Sequence, residues 1–214
     1  LIDLVEWREA MTEKTDEPID IALVDGSIST HHDVKKMKQI RERAKMVVAI
    51  GACAHNAGLN ALKNRYGMGQ VKEMVYGEAG AQFDTIPARP ISAVVPIEFA
   101  LPGCPIDREE FIRTVRDIAL GKTPKLLNYP VCVECKKKEN VCVFFQGKFC
   151  MGPVTRAGCG AICPSFGDGC EGCRGFVDNP NENAHKETLA EHGLTAREVM
   201  QHFDMFNSYD ESAL

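Results

Sequence analysis

The chain has 214 residues, 44% of them hydrophobic, with ten Cys and a formal net charge of −5. That is enough apolar material for one cored domain with a smaller appendage, and it excludes wholesale disorder. The acidic balance and the 7% aromatic content argue against a nucleic-acid-binding face, and no apolar run approaches the roughly 18 residues of a membrane span.

The first residue is Leu1 rather than Met, so the chain reads as a fragment or processed form, with any signal and any further ligands upstream. Leu4, Val5 and Trp7 are expected to belong to an incomplete first strand. Asp20 to Val24 is a short apolar run ending in Asp25-Gly26-Ser27, and Met46 to Ile50 is another, ending in Gly51-Ala52-Cys53-Ala54. Both are bounded by Gly, as buried parallel strands are. Between them, Asp33 to Lys45 places Val34, Met37, Ile40 and Ala44 at helical spacing. Strand–helix–strand with short connections predicts a parallel sheet, hence an α/β domain. Ile91 to Ile97 is a weaker candidate for a third strand. Asp107 to Leu120 reads as a helix with Phe111, Ile112, Val115, Ile118 and Ala119 facing inward.

Cys53 and Cys104 lie in loops just past strand-like runs, Gly51-Ala52-Cys53-Ala54-His55 and Leu101-Pro102-Gly103-Cys104-Pro105. Open α/β sheets collect their ligands at such carboxyl ends. Two thiolates do not complete a four-iron site, so further ligands lie before Leu1 or another group substitutes. Asp25, in a third strand-end loop, is a candidate neighbour, or else a turn- or helix-capping residue. His55 could hydrogen-bond the same site or lie on a surface loop.

The other eight cysteines crowd together: Cys132, Cys135, Cys142, Cys150, Cys159, Cys163, Cys170 and Cys173. A disulfide framework suits small secreted chains without a core, and a cored stretch precedes these. Two zinc sites would also use eight thiolates. Two 4Fe-4S cubanes, each taking four thiolates, account best for closely spaced CxxC steps in a Gly- and Pro-rich stretch. Val141, Val143, Phe144, Phe145, Phe149, Ile162 and Phe166 are expected to jacket them against water, or simply to pack a core. The tail carries Thr195-Ala196-Arg197-Glu198, a capping-box pattern, with Leu194, Val199, Phe203 and Phe206 on one helical stripe. That stripe packs on its own chain or on a partner subunit. Lys136-Lys137-Lys138 is a solvated loop, or a patch that could steer an acidic redox partner.

The strings Val24-Asp25-Gly26-Ser27-Ile28, Gly51-Ala52-Cys53-Ala54 and Pro102-Gly103-Cys104-Pro105, followed by eight Cys, resemble the small subunit of nickel–iron hydrogenases, nearest to the cytoplasmic type of methanogens. The resemblance implies a flavodoxin-like domain over 1–125 with a proximal 4Fe-4S cluster. It implies a ferredoxin-like segment over 126–180 with medial and distal clusters, and leaves a helical tail over 181–214. Cys53 and Cys104 match two proximal ligands, and nothing here matches the N-terminal CxxC that supplies the family's other two. Asp25 falls where the family carries an acidic residue beside that cluster. Family order implies Cys132, Cys135, Cys142 and Cys150 for the distal cluster and Cys159, Cys163, Cys170 and Cys173 for the medial one, with Cys150 and Cys159 open to exchange.

The same resemblance implies an electron-transfer subunit with three 4Fe-4S clusters in its intact form and no catalytic centre of its own. Its implied partners are a nickel–iron large subunit and a downstream flavin- or iron–sulfur-containing redox subunit, with no nucleic acid and no transmembrane segment. Free thiolates favour a reducing cytoplasm. Two rival readings are the complex I subunit that carries one cluster in the same fold but lacks such a tail, and a structural zinc-binding interaction protein.

Overall fold

The computed structural model describes residues 2–7, 9–12 and 15–210. Three parallel strands form one sheet in the order β1 (Ile19–Asp25), β2 (Ala44–Ile50), β3 (Phe99–Leu101). The first two pair from Ile19↔Ala44 to Asp25↔Ile50, and β2 pairs β3 from Val48↔Phe99 to Ile50↔Leu101. All three therefore end at one edge. The crossover is α1 (His31–Arg43), whose N-cap Thr30 accepts from the Asp33 N–H while Asp33 accepts from the Ser29 N–H. Val47, Val48 and Ala49 in β2 are fully buried, as an apolar run flanked by strands on both sides should be. Val47 and Ala49 pack with Ala22, Met37, Ile91 and Val95. The α/β expectation holds.

Two expected strands are corrected. Residues 2–7 are irregular and exposed, and the Trp7 carbonyl accepts turn bonds from the N–H groups of Ala10 and Met11 instead of a ladder bond. Residues 91–93 form a 3-10 turn whose carbonyl at Ile91 takes the N–H groups of Val94 and Val95, and β3 begins only at Phe99. Pro90 and Pro96 bracket this run, and neither can donate to a ladder. Ile91 and Val95 are core residues all the same.

After β2 come α2 (Gly51–Asn56), a 3-10 stretch over Gly58–Arg65, and α3 (Met68–Tyr76), which has no buried residue. Beyond β3, α4 (Arg108–Ala119) starts at Asp107, whose carboxylate caps the Glu110 N–H. Its buried positions are Glu110, Thr114 and Ile118, while Ile112 is exposed, so the inward face differs from the apolar one expected. The reason is a long-range partner for Glu110, the guanidinium of Arg174.

The following stretch is built from short pieces: α5 (Val131–Lys137), a 3-10 turn over Val143–Gln146, and α6 (Ile162–Ser165), stitched by isolated bridges such as Pro130↔Arg156 and Thr155↔Phe176. The tail forms α7 (Glu182–Glu191) and α8 (Ala196–Asp204), the latter with the expected reciprocal Thr195/Glu198 capping box. Val199 and Phe203 bury with Leu189 against Met151 and Val154, so the stripe packs onto its own chain. Among the described residues no helix is long and apolar enough to cross a membrane.

Candidate functional site

The carboxyl edge of the sheet brings Asp25, Cys53 and Cys104 together. Asp25 ends β1, Cys53 lies in the first turn of α2, and Cys104 follows β3 through Pro102-Gly103. The Ala52 N–H donates to the Gly103 carbonyl at 2.8 Å and ties two of these loops. Gly51 sits at φ +83°, where a Cβ would lie 3.3 Å from Asp25 Oδ1, so glycine lets the β1 loop close over α2. Burial pushes the Cys53 thiol up, and the neighbouring Cys104 and Asp25 add to the rise. Asp25 Oδ1 also accepts from the Gly26 N–H at 2.7 Å, which is the turn role. His55 is half-buried beside Gly175; burial holds it below the usual histidine range, with Arg156 and Arg174 adding to the fall.

None of the ten cysteines is disulfide-bonded. Cys132, Cys135, Cys142 and Cys150 are electrostatic neighbours: Cys132 is pushed up to about 11 by burial first and then by the other three. Burial also raises Cys150, whose Sγ accepts from the N–H groups of Gly152 at 3.4 Å and Cys170 at 3.3 Å. Cys159, Cys163 and Cys173 form another set. Burial and then Cys159 raise Cys163; burial and then Cys159, Cys163 and Cys104 push Cys173 up to about 11. Cys170 is buried and far above the usual thiol range, first from burial; it receives the Gly172 N–H, lies against Thr155, and adjoins Cys150 and then Cys173. It stands between the two sets.

The donor chemistry suits a soft, multi-metal group. Among the described residues thiols are the side chains that recur in both sets, backbone N–H groups point at their sulfurs, and a Cβ on Gly152 would lie 3.2 Å from Cys150 Sγ and 3.4 Å from Cys132 Sγ. Among the described residues no three His, Cys, Asp or Glu converge tightly enough to hold a single ion. A four-iron cluster instead takes four thiolates, one for each iron.

Two charged side chains escaped sequence reasoning. Glu134, inside the Cys132–Cys135 step, accepts from the N–H groups of Gly158 at 3.0 Å and Ala161 at 3.2 Å, so α5 holds the loop that carries Cys159. Glu134→Ala should leave two part-buried donors without a partner and lower the unfolding free energy by about 1–3 kcal/mol, read from an anaerobic denaturant melt. Arg174, next to Cys173, pairs with Glu110 of α4 at 2.7 Å with both side chains buried. The only trace of either in the sequence is a charged residue adjoining a cysteine.

The expected apolar jacket is divided. Val143 is buried and Phe144 and Phe149 are half-buried, but Phe145 and Phe166 are each 86% exposed, and Val141 and Ile162 also face water beside the exposed Cys142 and Cys163. Asn140 Nδ2 donates to Ser165 Oγ at 3.0 Å, and Lys148 Nζ reaches the Gly167 carbonyl at 2.7 Å and Asp168 at 3.2 Å, which brace the two loops.

Residues 1–118 match the family described as NADH ubiquinone oxidoreductase, 20 Kd subunit. Sulfhydrogenase 2 subunit delta of Pyrococcus furiosus is 40% identical over 84% of this chain and 78% of its own. A vhu subunit of the F420-non-reducing hydrogenase of Methanocaldococcus jannaschii is 33% identical over 90% of this chain and 78% of its own. Alignments of that breadth take in the eight-cysteine stretch, beyond the end of the family match. A subunit in the crystal structure of an NAD+-reducing [NiFe]-hydrogenase in the H2-reduced state is 27% identical over 55% of this chain and 73% of its own, with a TM-score of 0.49.

Proposed function

We infer that this chain, which belongs to the NADH ubiquinone oxidoreductase 20 Kd subunit family and within it to the hydrogenase small subunits, is the electron-transfer subunit of a nickel–iron hydrogenase. Dihydrogen would be split or formed at a nickel–iron centre in a separate large subunit. This chain would link that centre to a downstream flavin- or iron–sulfur-containing module in the cytoplasm.

The observation that carries the reading is the unbroken series of thiols from the sheet edge into the irregular segment. Cys53 and Cys104, with Asp25 beside them, contribute to a proximal site in domain 1–125. Cys159, Cys163, Cys170 and Cys173 hold a medial site, and Cys132, Cys135, Cys142 and Cys150 a distal one, both within 126–180. Three 4Fe-4S clusters bound there supply reversible one-electron transfer. The chain's own residues bind them as thiolates and aim the Gly152, Cys170 and Gly172 N–H groups at their sulfurs. Val131, Val143 and Ala161 keep water from the buried side, and α7 and α8 of the tail seal Met151 and Val154 behind it.

Metal analysis of the anaerobically purified complex tests this. Clusters at two or three sites predict about eight to twelve Fe per chain with matching acid-labile sulfide. Zinc without sulfide overturns the reading in favour of a structural protein.

A further inference from the structure

Three cysteine-bearing loops meet at one guanidinium. Arg174 is 1% exposed and directly follows Cys173. Its Nε donates to the Ala157 carbonyl at 2.9 Å, two residues before Cys159. Its Nη1 donates to the Pro102 carbonyl at 2.9 Å, two residues before Cys104. Its Nη2 donates to Glu110 Oε1 at 2.9 Å and Oε2 at 2.7 Å. Gly158 passes so close that a Cβ there would strike both Arg174 and Glu110.

A buried ion pair of this kind is weak evidence for stability, because apolar residues of the same volume often serve as well. What apolar residues cannot do is hold two carbonyls and a carboxylate of three separate elements in one plane. The planar fork of arginine can, and a lysine ammonium offers no such fork. The held loops meet at one further point, where the Cys104 backbone N–H faces the Cys173 thiol. A residue from the sheet-edge site thus presents its N–H to a sulfur of the neighbouring site, and the guanidinium holds the loops on both sides through Pro102 and Ala157.

We propose that Arg174, with Glu110 as its counter-ion, is a positioning residue that locks the Cys53–Cys104 site against the Cys159–Cys173 site and, through the Cys104 N–H, raises the reduction potential of the cluster held by Cys173. The inference rests on the electron-transfer reading above. Its sign follows from charge: an N–H aimed at a cluster sulfur favours the more negative, reduced state. Loosening the clamp therefore lowers the potential of that one cluster.

The test is a redox-poised EPR titration of the intact complex carrying Arg174→Lys, Glu110→Asp or Gly158→Ala, the first two keeping the charge of the pair while breaking its fork geometry, with iron content measured alongside. The expected result is wild-type iron content and a downward shift confined to one cluster. At a fixed poise its reduced-to-oxidised ratio should fall by about tenfold, which is 59 mV for a one-electron couple. Unmoved signals at wild-type iron content overturn the proposal. Loss of iron in all three variants also overturns it, because the pair would then be a folding element only. Wild-type complex without cluster signals defeats the electron-transfer reading itself, so the two failures are distinguishable.

Discussion

Cys170→Ser is expected to remove about four Fe per chain and to abolish dihydrogen-dependent reduction of the downstream acceptor, with the large subunit still assembled. Cys170 combines three roles in one buried residue. Its thiol is buried, and that burial pushes it far above the usual thiol range. Its N–H donates to Cys150 Sγ at 3.3 Å, and its carbonyl accepts from the Met151 N–H at 2.7 Å. A serine oxygen keeps the backbone bonds but is a hard ligand where iron–sulfur ligation uses thiolate. The fold should therefore survive while the proposed medial site fails. Iron analysis, sulfide analysis and acceptor reduction on the purified complex read the outcome. Unchanged iron and unchanged onward reduction would remove Cys170 from the ligands.

Gly169→Ala should be the most damaging single methyl group in the chain. A Cβ on Gly169 would run into the Phe149 carbonyl, with the Phe149 carbon at 3.1 Å and Cys150 Cα at 3.6 Å behind it. These are backbone atoms, and the Met151–Cys170 bond holds them in place, so no side chain can swing away. Overpacking of this kind costs about 1–3 kcal/mol, and more where the obstacle is backbone. Cys150 and Cys170 must move apart together, so iron retention should fall with stability. Gly69→Ala is the matched control. It sits in α3 with nothing within 4 Å of its Cβ, and a helix gains from alanine there. Equal denaturant midpoints for the two variants would refute the clash.

How much of this was legible in the sequence depends on how local each feature is. β1, α1 and β2 were readable because buried parallel strands leave uninterrupted apolar runs, bounded here by Gly26 and Gly51, with a helical spacing of apolar residues between them. The run from Ile91 was read as a weaker strand, and of its residues Ile91 and Val95 do reach the core. The shape it takes was missed because two prolines break the ladder it would need. The face of α4 was missed for a different reason. Glu110 turns inward to meet Arg174 across 64 residues of sequence, and a pair so distant leaves no periodic trace. The cysteines were legible as a count and a crowding. Their sorting into sets came from family resemblance, and the Glu134 and Arg174 clamps were invisible because a single charge beside a cysteine normally points to solvent.

Phe145 and Phe166 face water on loops that are cross-braced by Asn140–Ser165 and Lys148–Asp168, so they cannot fold back to hide themselves. Produced by itself, the polypeptide keeps both rings in water, together with Val141 and Ile162. It will clump as its concentration rises, and it will stay dispersed once another chain caps those rings.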